Sequence, residues 1–198
     1  MSHCLLRIPS FVAWLSLTAA AAAQPPAFLG RSASQYELEL KSGLPQTRHL
    51  AAWSLAQMGS PARDALNAAL AHDDPTVRYW AVHGLSRIAL SSPVDAPLRQ
   101  SLAAALAPLL DDKSAAPRLA AAETLARLGR REEALPVLVQ ALADPQEATR
   151  IAAIESLARL GPLAAPAKQQ IAAAASDPSE YVKRIAARWL AAQPQASP

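Results

Sequence analysis

Arg78-Tyr-Trp-Ala-Val-His-Gly-Leu85 decides the fold, because the chain repeats its pattern five times. The other copies are Arg48-His-Leu-Ala-Ala-Trp-Ser-Leu55, Arg118-Leu-Ala-Ala-Ala-Glu-Thr-Leu125, Arg150-Ile-Ala-Ala-Ile-Glu-Ser-Leu157 and Lys183-Arg-Ile-Ala-Ala-Arg-Trp-Leu190. The basic residue recurs at spacings of 30, 40, 32 and 33. A period of this size marks a stack of supersecondary units. In every copy an alanine follows three residues after the basic position and a leucine seven after it. That i, i+3, i+7 spacing lies on one face of a helix.

Start and stop signals flank these helices. Asp74-Pro75, Asp144-Pro145 and Asp177-Pro178 place a capping acceptor before a proline at the first helical position. Asp112 holds the same place without the proline. Gly59, Gly129 and Gly161 read as helix-ending glycines. A second apolar segment follows in most copies, over 62–71, 97–110, 131–143 and 163–175. The unit is therefore helix, short turn, helix. It cannot bury its apolar face alone, but stacked neighbours can. Residues 34–41 read as the second helix of a degenerate first copy and 179–192 as a lone closing helix. An inserted loop at 91–96 accounts for the spacing of 40. The expectation is an all-α, right-handed α-solenoid over residues 34–192.

Composition agrees. The chain has 198 residues, 52% hydrophobic, enough for one domain. Alanine and leucine dominate, which favours helix, and the prolines sit mostly between apolar segments. The net charge of +3, with both signs interspersed, is too small for a nucleic-acid footprint. The first 23 residues read as a secretory signal peptide: Arg7, an apolar run over 8–17, then a small-residue tail ending Ala21-Ala22-Ala23. The run is short of the roughly 20 apolar residues of a stable membrane span. A periplasmic or secreted protein with no span after cleavage is expected. The one cysteine, Cys4, lies in this leader, so the processed chain has no disulfide or thiol nucleophile. Residues 24–33 read as a linker and 193–198 as a disordered tail.

The Asp-Pro-x-x-x-(Val/Thr)-Arg/Lys pattern followed by Ala-Ala-x-x-Leu resembles the HEAT repeat family in its short, phycobilisome-lyase-like form. The Trp-x-x-Leu-Gly-x-x-Tyr pattern of tetratricopeptide repeats and the Thr-Pro-Leu-His of ankyrin repeats are missing. A narrower stretch, Asp-Asp-Pro-Thr-Val-Arg-Tyr-Trp-Ala-Val at 73–82, is similar to helical tails of secreted bacterial sulfatases, as are Ala-Ala-Glu-Thr-Leu-Ala-Arg-Leu-Gly in copy three and Tyr181-Val-Lys-Arg. The catalytic domain of those enzymes has no counterpart here. The HEAT resemblance implies a structural ladder between copies, carried by Asp74, Arg78, Asp112, Arg118, Asp144, Arg150, Asp177 and Lys183. Anion binding by Arg48, Arg78, Arg118 and Arg150 is the functional alternative, but regularity across copies is what packing produces.

The position five after the basic residue holds Trp53, His83, Glu123, Glu155 and Arg188. Polar residues there imply an exposed column, with Glu123–Arg127 and Glu155–Arg159 paired at i, i+4. Trp53, His83 and Arg87 then form a candidate contact patch, unless the N-terminal copies cover Trp53. Trp80 falls in an apolar column and reads as core; Trp189 reads as a cap on the last helix. Tyr79 and Tyr181 receive no role. The second helices are expected to build a concave face, with Arg63, Asp64, Asn67, Arg99, Gln100, Gln140, Lys168 and Gln169 as its polar positions. Histidines 49, 72 and 83 lack metal-ligand spacing. No nucleophile elbow or phosphate loop is present. The sequence predicts no metal, no cofactor and no catalysis: an exported scaffold for a protein or peptide partner. The alternatives are an accessory chain of a separately encoded exported hydrolase, such as a sulfatase, and a lyase-type enzyme like some relatives of these repeats.

Overall fold

The structure, a computed structural model, describes residues 26–91 and 96–193. The leader, part of the inserted loop and all of the expected tail beyond residue 193 lie outside the described residues. The chain begins with a short antiparallel hairpin, β1 (Ala27–Phe28) and β2 (Arg31–Ser32). Its turn residues, Leu29 and Gly30, both have positive φ, 49° and 75°, the conformation that matches the twist of paired strands. Residues 27–32 of the expected linker thus form a hairpin. The hairpin is held because the Tyr36 hydroxyl donates to the Phe28 carbonyl at 2.9 Å and the Phe28 ring meets Trp53 edge-on at 5.6 Å.

Helix α1 (Ala33–Glu39) follows, capped reciprocally by Ser32 and Gln35. The helix pairs are then α2 (Pro45–Met58) with α3 (Arg63–Ala69), α4 (Pro75–Leu90) with α5 (Ala96–Leu106), α6 (Ala115–Arg127) with α7 (Arg131–Ala141), and α8 (Glu147–Leu160) with α9 (Lys168–Ala174). Helix α10 (Glu180–Ala191) closes the stack. Proline-containing 3-10 turns at Ser60–Ala62, Ala107–Asp111 and Gly161–Ala167 extend three of the second helices. Gly59, Gly129 and Gly161 take positive φ where first helices end, the conformation glycine adopts without a Cβ penalty. The molecule is the all-α solenoid of stacked helix pairs that the repeat implies.

One core runs through the stack. The repeated alanines Ala51, Ala81, Ala121, Ala153 and Ala186 are all fully buried, as are Leu55, Leu85, Leu125 and Leu157. Small side chains let neighbouring first helices approach closely. Gly84 marks a close contact: a Cβ there would lie 2.6 Å from Leu66 Cδ1 and 2.9 Å from the Ala56 Cα. Gly84→Ala therefore lowers stability by about 1–3 kcal/mol by overpacking, although alanine is the better helix former by about 1 kcal/mol. Urea unfolding checks this; a raised midpoint would show that α2 and α4 have room to separate.

The two layers are spaced differently. Consecutive first helices (α2, α4, α6, α8 and α10) lie directly against one another, whereas second helices contact mainly first helices. A stack bends toward its more closely spaced layer, so the first helices form the inner, concave side. This corrects the expectation that the second helices would form it.

A side chain six residues before each basic position starts every unit. Ser42, His72, Asp112, Asp144 and Asp177 each accept a hydrogen bond from the backbone N–H two residues on, at 2.8–3.2 Å. In α4 the cap proper is Asp74, with Pro75 as the first helical residue. Asp144 and Asp177 instead lie two residues ahead of their helix caps, Gln146 and Ser179, which corrects the placing of their prolines inside the helices. Arg48, Arg78, Arg118 and Arg150 each donate back to the carbonyl six residues earlier.

Three of these arginines also reach the next copy. Arg48 bonds Asp74 at 3.1 Å. Arg78 holds Asp112 with two bonds, 2.7 and 2.8 Å, and Arg150 holds Asp177 at 2.8 and 3.2 Å. These three guanidinium groups are bonded within the fold, which argues against anion binding by Arg48, Arg78 and Arg150. The expected ladder is interrupted once. Among the described residues Arg118 and Asp144 share no bond; both line a cleft of about 300 Å³. Lys183 pairs with Glu180 at 2.6 Å.

Burial acts to raise the Asp74 carboxyl, but hydrogen bonds from His49, the Thr76 N–H and Arg48 outweigh it and hold the pKa at about 2, against an ordinary 3.8. At Asp112 burial likewise acts to raise the carboxyl and is outweighed by Arg78 and the Ser114 N–H, and Asp177 is lowered chiefly by Arg150. A depressed carboxylate pKa contributes stability that is fully present above the unfolded value and lost as pH falls through the folded one. Stability should hold above 3.8 and fall as pH approaches 2, with Asp74→Asn showing a shallower acid limb. Denaturant midpoints measured across this range check it; identical acid limbs would remove Asp74 from the account.

Candidate binding groove

The concave layer opens into a groove of about 550 Å³ across α4, α6 and α8. On its α4 wall stand Tyr79, His83 and Ser86, which helical spacing brings to one face. The Tyr79 and His83 rings meet edge-on at 4.5 Å, and Trp80 joins them, 5.3 Å from Tyr79 and 5.8 Å from His83. Burial pushes the His83 pKa down; nearby Glu123 opposes this, and Arg159 adds to it. The ring is thus neutral at pH 7 and presents one donor and one acceptor nitrogen. Among the described residues, the Tyr79 hydroxyl, the His83 ring nitrogens and the Ser86 hydroxyl make no hydrogen bond.

The opposite wall is a charged network between copies. Glu123 on α6 accepts from Arg127 at 2.8 Å and from Arg159 of α8 through both Nε, at 3.1 Å, and Nη2, at 2.8 Å. Arg159 also faces Glu155 at 3.6 Å, and Glu155 accepts from the Tyr181 hydroxyl of α10 at 2.7 Å. Arg127 donates to the Arg159 carbonyl at 3.2 Å. These bonds tie three successive first helices together, so this wall is fixed before any partner arrives.

The structure separates the residues proposed from sequence. His83 lines the groove, but its ring partners are Tyr79 and Trp80 rather than Trp53. Trp53 is half-buried, with the Phe28 ring of the hairpin against it. Arg87 is exposed beside the groove and donates to the Ala56 carbonyl at 3.0 Å and to Gln57 Oε1 at 2.8 Å. The column expected to be exposed is so only in part: Arg188 is exposed, whereas the Glu123 side chain is 15% exposed because two arginines cover it. Trp80 is half-buried against the core, and Trp189 is buried. Arg63, Asn67, Arg99 and Lys168 are exposed on the outer layer, where Arg63 pairs with its neighbour Asp64 at 3.1 Å. Tyr79 and Tyr181, given no role from sequence, are both groove residues or partners of them. Among the described residues no group of three or more His, Cys, Asp or Glu side chains is placed to hold a metal ion, and no helix is long and apolar enough to cross a membrane.

A continuous core of stacked helix pairs with a groove along its inner layer defines a helical repeat solenoid. The sequence profile of HEAT repeats matches residues 37–105 and 102–191, and the chain belongs to that family. Among solved structures it is similar to the CpcE–CpcF complex of phycocyanin lyase from Nostoc sp. PCC7120. The identity is 24% over 88% of this chain and 68% of that one, with a TM-score of 0.55. It is also similar to an archaeal HEAT-like repeats protein from Thermococcus onnurineus NA1, at 22% identity over 81% of this chain and 64% of that one, TM-score 0.43. A designed armadillo repeat protein matches at 19% identity over 81% and 99% of the two chains, TM-score 0.35. No curated protein sequence matches.

Proposed function

We propose that this protein is an exported, non-catalytic scaffold that holds a segment of a partner protein in the first-helix groove. One observation carries the reading: the unpaired polar groups of Tyr79, His83 and Ser86 converge on a groove whose other wall is already fixed by ion pairs. Concave sites with a few unsatisfied polar groups on rigid elements are where ligands are recognised, and the extended inner surface of a solenoid suits a protein segment. The HEAT repeat fold supports a protein partner. The likeness to a phycocyanin lyase complex is one of fold, and lyase chemistry does not follow from it.

Export is supported by the leader pattern ending at Ala23. Intact mass tests it: the exported chain should begin at or near Gln24, and a full-length chain in the soluble envelope fraction would contradict it. The stretch at 73–82 supports a narrower version, in which the partner is a separately encoded exported hydrolase such as a sulfatase. Changing Ser86→Arg fills the groove from a half-buried position whose side chain makes no ion pair or hydrogen bond among the described residues. Capture of the native partner from envelope extract should then fall by about tenfold, as for loss of a central contact, at constant melting temperature. Unchanged capture would place the partner elsewhere, and the outer positions Arg63, Asn67, Arg99 and Lys168 would become the better site.

A further inference from the structure

We infer that the groove selects an extended, acidic protein segment. The inference rests on the protein-binding reading above and adds the chemistry of the partner. Each of the four first helices from α4 onward places one arginine along the concave face: Arg87, Arg127, Arg159 and Arg188. The carboxylates lining the groove are Glu123 and Glu155. Both are already satisfied, Glu123 by Arg127 and Arg159, Glu155 by Tyr181 and Arg159. Arg87 and Arg188, at the two ends of this row, are exposed and make no ion pair among the described residues. Arg87 spends only Nη1, on the Ala56 carbonyl and Gln57. The face therefore carries positive charge that the fold leaves unmatched.

Length and shape narrow the occupant. Packed helices lie about 8–10 Å apart, so the row from α4 to α10 spans roughly 24–30 Å. An extended chain rises about 3.3 Å per residue, and eight or nine residues bridge the row. Acidic side chains near the two ends of such a segment meet Arg87 and Arg188. At the α4 end the Tyr79, His83 and Ser86 groups lie where backbone amides pass. A basic segment would set its charge against these guanidinium groups. A nucleic acid, with a phosphate at every nucleotide, needs a denser run of cations than these four arginines, two of which are already paired. The rim charges are exposed, so they act mainly on selectivity and on-rate, and salt weakens them.

Fluorescence anisotropy of the folded chain with three labelled nine-residue peptides, acidic, uncharged and basic, and with a nine-nucleotide oligothymidylate tests this. The acidic peptide should bind about tenfold tighter than the other three probes at low salt, with most of the advantage lost at high salt. R87E/R188E should remove that preference. R188E alone breaks no bond within the fold and should reduce it severalfold at an unchanged melting temperature. Preference for the uncharged or basic peptide overturns the acidic selectivity while leaving a protein-binding groove. Failure of every peptide to bind overturns both readings. Tighter binding of the oligothymidylate, or an acidic preference that survives R87E/R188E, overturns the inference.

Discussion

Trp189→Ala should destabilise the protein by about 3–5 kcal/mol, the cost of emptying a buried aromatic site. Trp189 stands on the last helix yet is only 5% exposed. Its equivalents in the earlier copies are Ser54, Gly84, Thr124 and Ser156, all small and all buried. The ring therefore fills the edge of the core on α10. At about 2–4 °C per kcal/mol for a chain of this size, the melting temperature should fall by at least about 6 °C. Copies touch mainly their neighbours, so the loss should show first in α8, α9 and α10. Hydrogen exchange resolves this: protection in α8 and α10 should drop well before that in α4. The indole Nε1 is buried with no partner, so Trp189→Phe, which keeps most of the volume and removes the orphan donor, should recover most of the loss. Unchanged melting of the alanine variant would mean that the closing helix is not packed.

Asp112→Ala should cost about 3 kcal/mol, the lower end for breaking a buried ion pair by removing one partner. The Asp112 side chain is 7% exposed and accepts three bonds, two from Arg78 and one from the Ser114 N–H. Its loss leaves Arg78, itself 15% exposed, with only the His72 and Asp73 carbonyls. Asp144→Ala is the matched control. Asp144 serves its own turn and makes no bond to Arg118, so only the local cap contribution is lost, about 1 kcal/mol. Urea unfolding of the two variants side by side measures the link between copies. Equal losses would show that the Arg78–Asp112 bonds contribute nothing to stacking.

The core was legible because it is written in the period. Ala51, Ala81, Ala121, Ala153 and Ala186 recur at one helical position, and every one is fully buried. The turns were half-legible. The Asp-Pro dipeptide drew attention to the helix start, whereas the constant feature is the acceptor six residues before the basic position. His72 fills that place in copy two: its Nδ1 accepts from Asp74 N–H at 3.0 Å and its Nε2 bonds the Leu40 carbonyl at 3.1 Å. The offset was countable in the sequence, but a histidine standing in for an aspartate does not advertise itself.

The groove was harder to see for a physical reason. Local rules pair Glu123 with Arg127 four residues on, and that bond exists. They say nothing of Arg159, 36 residues away, which grips the same carboxylate, or of Tyr181, which reaches Glu155 across 26 residues. Which layer is concave depends on the relative spacing of two rows of helices, a property of the whole stack. The ring set against Trp53 was not legible because the hairpin at 27–32, which brings Phe28 to it, is too short to carry a strand pattern.

The account stands on the concave first-helix layer being the partner-binding face. A photo-cross-linking side chain placed at Ser86, in the groove, and separately at Asn67, exposed on the outer layer, tests that most directly. Both positions are free of hydrogen bonds to other side chains among the described residues, so both variants should fold. Irradiation in the native envelope should join the Ser86 variant to a defined protein and leave the Asn67 variant free. A cross-link from Asn67 with none from Ser86 would contradict the account and move the binding face to the second helices.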